Sequence, residues 1–153
     1  MSEPRWLDAG QQRDWRAYID GSTRLHELLD RDLKAKHGLS TSEYEILVRL
    51  SEAPGRALRM AELAEHASQS RSRLSHTCTR LESKGLVRRE ACPNDKRGVY
   101  AILTDEGFAA LERAARDHVE TVRRFFVDVI SPEDLKAIGR AFGAVDEHIR
   151  GVR

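Results

Sequence analysis

The side chains best suited to chemistry lie close together. From Ser70 to Arg80 the chain reads Ser-Arg-Ser-Arg-Leu-Ser-His-Thr-Cys-Thr-Arg. At helical spacing, Ser70, Arg71, Ser72, Arg73, Ser75, His76, Thr79 and Arg80 face outward, while Leu74, Thr77, Cys78 and Leu81 face inward. The outward set mixes short hydrogen-bonding groups with cations and holds no carboxylate before Glu82. Such a face suits base edges and phosphate oxygens, which early acids would repel. A helix starting after Ser70 also presents free amides to an anion. Lys84, Arg88, Arg89, Lys96 and Arg97 follow, and Glu82, Glu90 and Asp95 are the acids of the whole 71–97 stretch. The chain is nearly neutral, with 26 Lys and Arg against 25 Asp and Glu, so the positive charge is concentrated here rather than spread.

Other chemistries find no matching pattern. Ser75 and His76 are adjacent, which on a helix turns their side chains about 100° apart. There is no glycine-rich phosphate loop, no G-x-S-x-G and no carboxylate pair in an apolar setting. The six histidines (His26, His37, His66, His76, His118 and His148) form no i, i+4 pair and no cluster with cysteine. The reading is therefore of a non-enzyme with no metal and no cofactor. Two cysteines, Cys78 and Cys92, make no disulfide framework. No apolar run approaches the roughly 20 residues that cross a bilayer. The first 15 residues lack the apolar segment of a signal peptide. A cytoplasmic protein with no membrane partner is expected.

The elements that must position these residues are legible from periodicity and caps. The 153 residues allow one domain with an appended helical arm. Trp15, Tyr18, Ile19, Ser22, Leu25, Leu29 and Leu33 recur at three and four, predicting a helix over 8–36 that ends at Gly38. Ser40-Thr41-Ser42-Glu43 reads as a capping box for a helix carrying Tyr44, Leu47, Val48 and Leu50. Residues 60–66 form a short helix with Met60, Leu63 and Ala64 inward. A tight connection then leads to a helix over 71–84, stopped by Gly85. Two strands, 86–92 and 99–103, flank a polar tip over 93–98. Thr104 caps a long helix to about Ile130. Ser131-Pro132-Glu133-Asp134 opens the last helix, where Leu135, Ile138, Phe142, Val145 and Ile149 form a 3-4-3-4 seam that requires a partner helix. Helix, turn, amphipathic helix and charged hairpin make a winged helix-turn-helix. The expected fold is mainly α with a small β-hairpin wing. The winged domain spans 40–103, and 8–36 with 104–150 form a helical dimerisation region.

The run Leu63-Ala64-Glu65, Ser70-Arg71-Ser72 and Arg80-Leu81-Glu82-Ser83-Lys84-Gly85-Leu86-Val87-Arg88-Arg89 resembles the MarR family of bacterial regulators. So do Asp95-Lys96-Arg97 leading into Leu103-Thr104 and Gly107, and Gly38-Leu39-Ser40 leading into Glu43-Tyr44-Glu45-Ile46-Leu47. The resemblance covers nearly the whole chain. It implies a homodimer that sets two recognition helices into successive major grooves of a pseudo-palindromic double-stranded DNA operator. It also implies that Arg97 enters the minor groove, with Asp95 accepting from its guanidinium and holding the hairpin tip. Gln69, Ser70, Ser72, Arg73, Ser75, His76 and Lys96 complete the DNA-facing set. Arg71, Arg80, Lys84 and Arg88 are read as phosphate contacts or as ion pairs within the domain. Many members carry glycine and an apolar residue where this chain has Ser68 and Gln69. Gln69 is read either as an added DNA contact or as a solvent-facing residue.

The same resemblance implies a repressor released by a small effector, often aromatic and anionic. Trp15, Arg16, Tyr18, Tyr44, Met60 and His118 are its candidate contacts, although an aromatic pair at helical spacing equally suits a core. A thiol-redox regulator acting through Cys78 or Cys92 is an alternative, as is a winged helix devoted to protein interaction. The second would lack a wing arginine and carry acids on the recognition face, and neither holds here.

Overall fold

The computed structural model describes residues 3–67 and 69–152; Ser68, half of the departure noted above, lies outside the described residues. In chain order the elements are α1 (Ala9–His37), α2 (Thr41–Glu52), β1 (Ala57–Arg59), α3 (Met60–His66), α4 (Arg71–Ser83), β2 (Val87–Cys92), β3 (Asp95–Leu103), α5 (Asp105–Val122) and α6 (Pro132–Gly151). Helices with a small antiparallel sheet are the architecture expected for a winged helix.

The caps act as predicted. The Ser40 hydroxyl accepts from the Glu43 amide at 3.1 Å and the Glu43 carboxylate accepts from the Ser40 amide at 3.0 Å. The Ser70 hydroxyl accepts from the Arg73 amide, the Thr104 hydroxyl from the Gly107 amide and the Ser131 hydroxyl from the Asp134 amide. At the end of α4 the Leu86 amide donates to the Leu81 carbonyl and the Gly85 amide to the Glu82 carbonyl, with Gly85 at φ +72°. This pair of bonds satisfies the last carbonyls and needs a residue free of Cβ strain.

The chain divides into two compact units. One spans Leu29–His118. Its core joins α2 (Ile46, Leu47, Leu50), α3 (Leu63), α4 (Leu74, Cys78, Leu81) and the sheet (Val87, Ala101, Leu103), closed by Leu33, Leu39, Leu111 and Ala114. Each fully buried leucine contributes roughly 2 kcal/mol of transfer free energy. The other unit takes the described residues up to 28 and those from 119 on. In it, Tyr18 of α1 packs its ring 5.1 Å from that of Phe142 of α6. Both unit boundaries fall inside long helices, so the last turns of α1 and most of α5 belong with the Leu29–His118 unit.

Three features depart from the sequence reading. A third strand exists: β1 pairs antiparallel with β3 (Ala57 with Ile102, Arg59 with Tyr100), giving the order β1-β3-β2. Three residues are too few to show a period of two. The hairpin tip is shorter than 93–98, because Cys92 pairs with Asp95 after a register shift at Ala91, leaving Pro93-Asn94 as the turn. The helix that Thr104 caps keeps α geometry only to Val122 and then widens into a π turn over Arg123–Val127.

Candidate nucleic-acid interface

Helix α4 is the amphipathic element expected. Leu74, Thr77, Cys78 and Leu81 are buried, whereas Arg71, Ser72, Arg73, Ser75, His76, Thr79 and Arg80 are exposed. The inward stripe packs into the core and fixes the helix on its axis, so the outward stripe is presented as one surface. Ser70 is exposed at its N-cap. Gln69 is half-buried and its Oε1 is buried with no hydrogen-bond partner among the described residues, so that oxygen faces the protein rather than solvent.

Ion pairing sorts the basic residues into two groups. Arg80 donates from Nε to Glu43 Oε1 at 3.1 Å, and Lys84 Nζ lies 2.8 Å from Glu43 Oε2 and 2.8 Å from the Gly38 carbonyl. Arg88 pairs with Glu90, and Arg89 with Glu82 at 2.6 Å. Arg89 also donates to the Thr79 hydroxyl at 3.0 Å and the Ser75 hydroxyl at 3.4 Å, lacing β2 to α4. Arg71, Arg73, Lys96 and Arg97 form no ion pair among the described residues and are exposed. Arg80 and Lys84 tie α4 to α2, Arg89 ties α4 to β2, and Arg88 pairs within β2, whereas the second group stays exposed.

Two of these acids, Glu43 and Glu82, are held below the ordinary carboxylate value. Burial pushes the Glu43 carboxyl up, but hydrogen bonds from Lys84, the Ser40 amide and Arg80 outweigh it and hold it below the ordinary value of 4.5. The Arg89 hydrogen bond likewise holds Glu82 low. Glu43 is an acid on a buried stripe, at three, four and seven residues from Ile46, Leu47 and Leu50. The sequence reading took it as a cap alone, and its place on that stripe is the signal that could have revealed the second role.

Asp95 supports the wing differently from the expectation. One carboxylate oxygen accepts from the Arg97 amide at 3.0 Å, and the other lies 3.4 Å from a guanidinium nitrogen of Arg59. The Arg97 guanidinium is not its partner. The short Pro93-Asn94 turn places Asp95 at the start of β3, where its carboxylate meets its own backbone two residues on and the neighbouring β1. Arg59, unmarked in the sequence reading, also stands over the Tyr100 ring, 5.8 Å from its centroid. The hairpin is close-packed behind this cluster, since a Cβ on Gly98 would stand 2.7 Å from Cys92 Sγ. Between α4 and the hairpin lies an open groove of about 400 Å³, lined by Arg59, Arg71, Arg89 and Arg97, by Asp95, and by apolar residues such as Leu74.

The other candidates lie elsewhere. Tyr44 and His118 stack, with ring centroids 4.6 Å apart. His118 Nδ1 is buried without a hydrogen-bond partner among the described residues, and burial lowers the imidazole pKa despite the nearby Asp32. Trp15 and Tyr18 stack in the other unit at 5.6 Å, with Arg16 exposed beside them. Met60 borders the groove under the hairpin. Phe142, Val145 and Ile149 of α6 are 42%, 49% and 50% exposed, while Leu135 and Ile138 are half-buried. Cys78 is buried, and burial pushes its thiol to about 11, which leaves it protonated and unreactive at neutral pH.

Comparison with known proteins agrees with this layout. The model described as MarR family matches residues 37–98. The regulator PecS of Dickeya dadantii is 36% identical over 135 residues, covering 83% of this chain and 78% of PecS. Two solved MarR family transcriptional regulators from Streptomyces coelicolor are similar throughout. AbsC is 44% identical with a TM-score of 0.91, covering 97% of this chain and 99% of AbsC. Sco3205, solved in complex with DNA, is 50% identical with a TM-score of 0.92, covering 95% of this chain and 91% of its own.

Proposed function

The chain belongs to the MarR family of transcriptional regulators, and from that premise we propose that it binds a pseudo-palindromic DNA operator as a homodimer, in the cytoplasm, through α4 and the β2–β3 wing. The observation that carries this reading is the sorting of the cations. Arg80, Lys84, Arg88 and Arg89 are paired within the domain, and Arg71, Arg73, Lys96 and Arg97 are exposed on the helix and the wing tip with no ion pair among the described residues. Sco3205, half identical to this chain, was solved on DNA, which supports the same use here.

The dimer reading rests on α6. Phe142, Val145 and Ile149 lie on one stripe at coiled-coil spacing, and a stripe of this kind is covered by an equivalent helix of a second copy. Leu135 and Ile138 extend it. We further propose a repressor relieved by a small aromatic anion. Within the Leu29–His118 unit, the Tyr44–His118 ring pair supports this, because it stands beside an imidazole nitrogen that no group among the described residues satisfies.

Gel shifts on the DNA upstream of the gene, with random duplex as competitor and at two salt concentrations, test the reading. A competitor-resistant shift of one dimer per site is expected. Arg97→Ala should weaken binding to both DNAs and reduce the salt dependence, because a wing cation acts through charge and groove shape. Arg73→Ala or His76→Ala should cost about 1–3 kcal/mol more on the operator than on random DNA, since a lost base contact removes discrimination. Equal losses on both DNAs would overturn the base-reading role.

A further inference from the structure

If α4 lies in a major groove and the hairpin in the adjacent minor groove, one sugar-phosphate strand must pass between them, because that strand is the wall separating the two grooves. The cleft on the protein that corresponds to this wall is the groove between α4 and the hairpin. Arg71 borders it from the helix and Arg97 from the wing, both without ion pairs among the described residues. Of the two other arginines in the groove, Arg89 is held by Glu82, and Arg59 stands at the end of β1, a strand that belongs to neither the recognition helix nor the hairpin. We infer that Arg59 is a direct phosphate contact, and that Arg59, Arg71 and Arg97 line the path of the sugar-phosphate strand running between helix and wing, with Arg59 neutralising a phosphate of its own. This rests on the DNA-binding reading above.

The geometry around Arg59 suits that task. Its backbone is held at the start of α3, where its amide donates to Glu62 Oε2 at 3.3 Å. Its guanidinium is steered by Asp95 and the Tyr100 ring, at 3.4 Å and 5.8 Å. The side chain is still 44% exposed. A planar guanidinium has five donors, and its contacts to Asp95 and Tyr100 leave others for phosphate oxygens. Asp95 also holds the Arg97 amide, so one carboxylate places a backbone contact of the wing tip and the guanidinium of Arg59 in a common frame.

Salt dependence separates a phosphate contact from a structural role. The full-length protein and its variants would be titrated onto the upstream DNA and onto a short random-sequence duplex over a range of salt. Each phosphate contact contributes about 0.9 to the slope of log K against log salt. Arg59→Ala should therefore lower the slope by about 0.9 per protomer, close to 2 for a dimer, equally on both DNAs. Arg59→Lys keeps the charge and should restore most of the slope. Arg88→Ala is the control for general charge, because Arg88 alternates with Arg89 and faces the other side of the sheet, where it pairs with Glu90. It should leave the slope unchanged. An unaltered slope in Arg59→Ala, or an equal fall in Arg88→Ala, would overturn the assignment. Wild-type protein that bound neither DNA even at low salt would overturn the DNA-binding reading itself, before any variant was compared.

Discussion

Glu43→Ala is expected to destabilise the Leu29–His118 unit by about 3 kcal/mol, read as a fall in the urea midpoint with an unchanged slope. The substitution removes three things together. It takes the acceptor from the Ser40 amide, and it leaves Lys84 and Arg80 without their shared carboxylate. It also opens a void at a position that is 3% exposed. Breaking a buried pair costs about 3–5 kcal/mol when the remaining charge stays buried. Here the remaining charges are 37% and 53% exposed and can turn to water, which places the expectation at the lower end. Glu43→Gln keeps the shape and the acceptor and should cost less.

The two variants should also differ from wild type in how their stability depends on pH. The Glu43 carboxyl titrates lower in the folded chain than in the unfolded one. Its contribution is therefore complete above the ordinary value of 4.5 and is lost as pH falls through the lower folded value. The stability gap between wild type and Glu43→Gln should narrow below about pH 4. A gap that stayed constant across that range would mean that the charge on Glu43 contributes nothing. The effect would reach function, since Arg80 and Lys84 are both on or beside α4 and Glu43 ties that helix to α2.

Gly107→Ala should be of similar size, about 3 kcal/mol, seen as a drop of roughly 10 °C in melting temperature. Gly107 lies in the first turn of α5. A Cβ there would stand 2.0 Å from the Leu86 carbonyl oxygen and 2.7 Å from Leu103 Cδ1. The first obstacle is backbone and cannot rotate away. Leu86 is fixed on two sides, with its amide on the Leu81 carbonyl and its own carbonyl accepting from the Thr104 amide. Relief requires α5 to move off the junction between α4 and the sheet. A melting temperature within a degree or two of wild type would show that this junction yields readily. Gly139, in the middle of α6, has open space around its Cβ position and is the matched control, where alanine should be neutral or stabilising.

Much of this molecule was determined by short stretches of sequence. Ser40 with Glu43, Ser70 before Arg71 and Ser131 before Pro132 each complete a helix start within four residues. The inward and outward sides of α4 followed from a period of 3.6, and the sides found are those predicted. The cationic recognition face and the apolar seam of α6 were legible for the same reason, because spacing along one helix fixes which side chains share a face.

What only the tertiary structure decided involves residues far apart in the chain. Glu43 meets Arg80 and Lys84 across some forty positions, and Asp95 meets Arg59 across 36. Periodicity cannot report such pairs, since they depend on how α2 packs on α4 and on β1 joining the sheet. That packing separates the arginines that hold the domain together from those left exposed without an ion pair among the described residues. In the sequence all of them read alike, because a guanidinium declares its charge but not its partner.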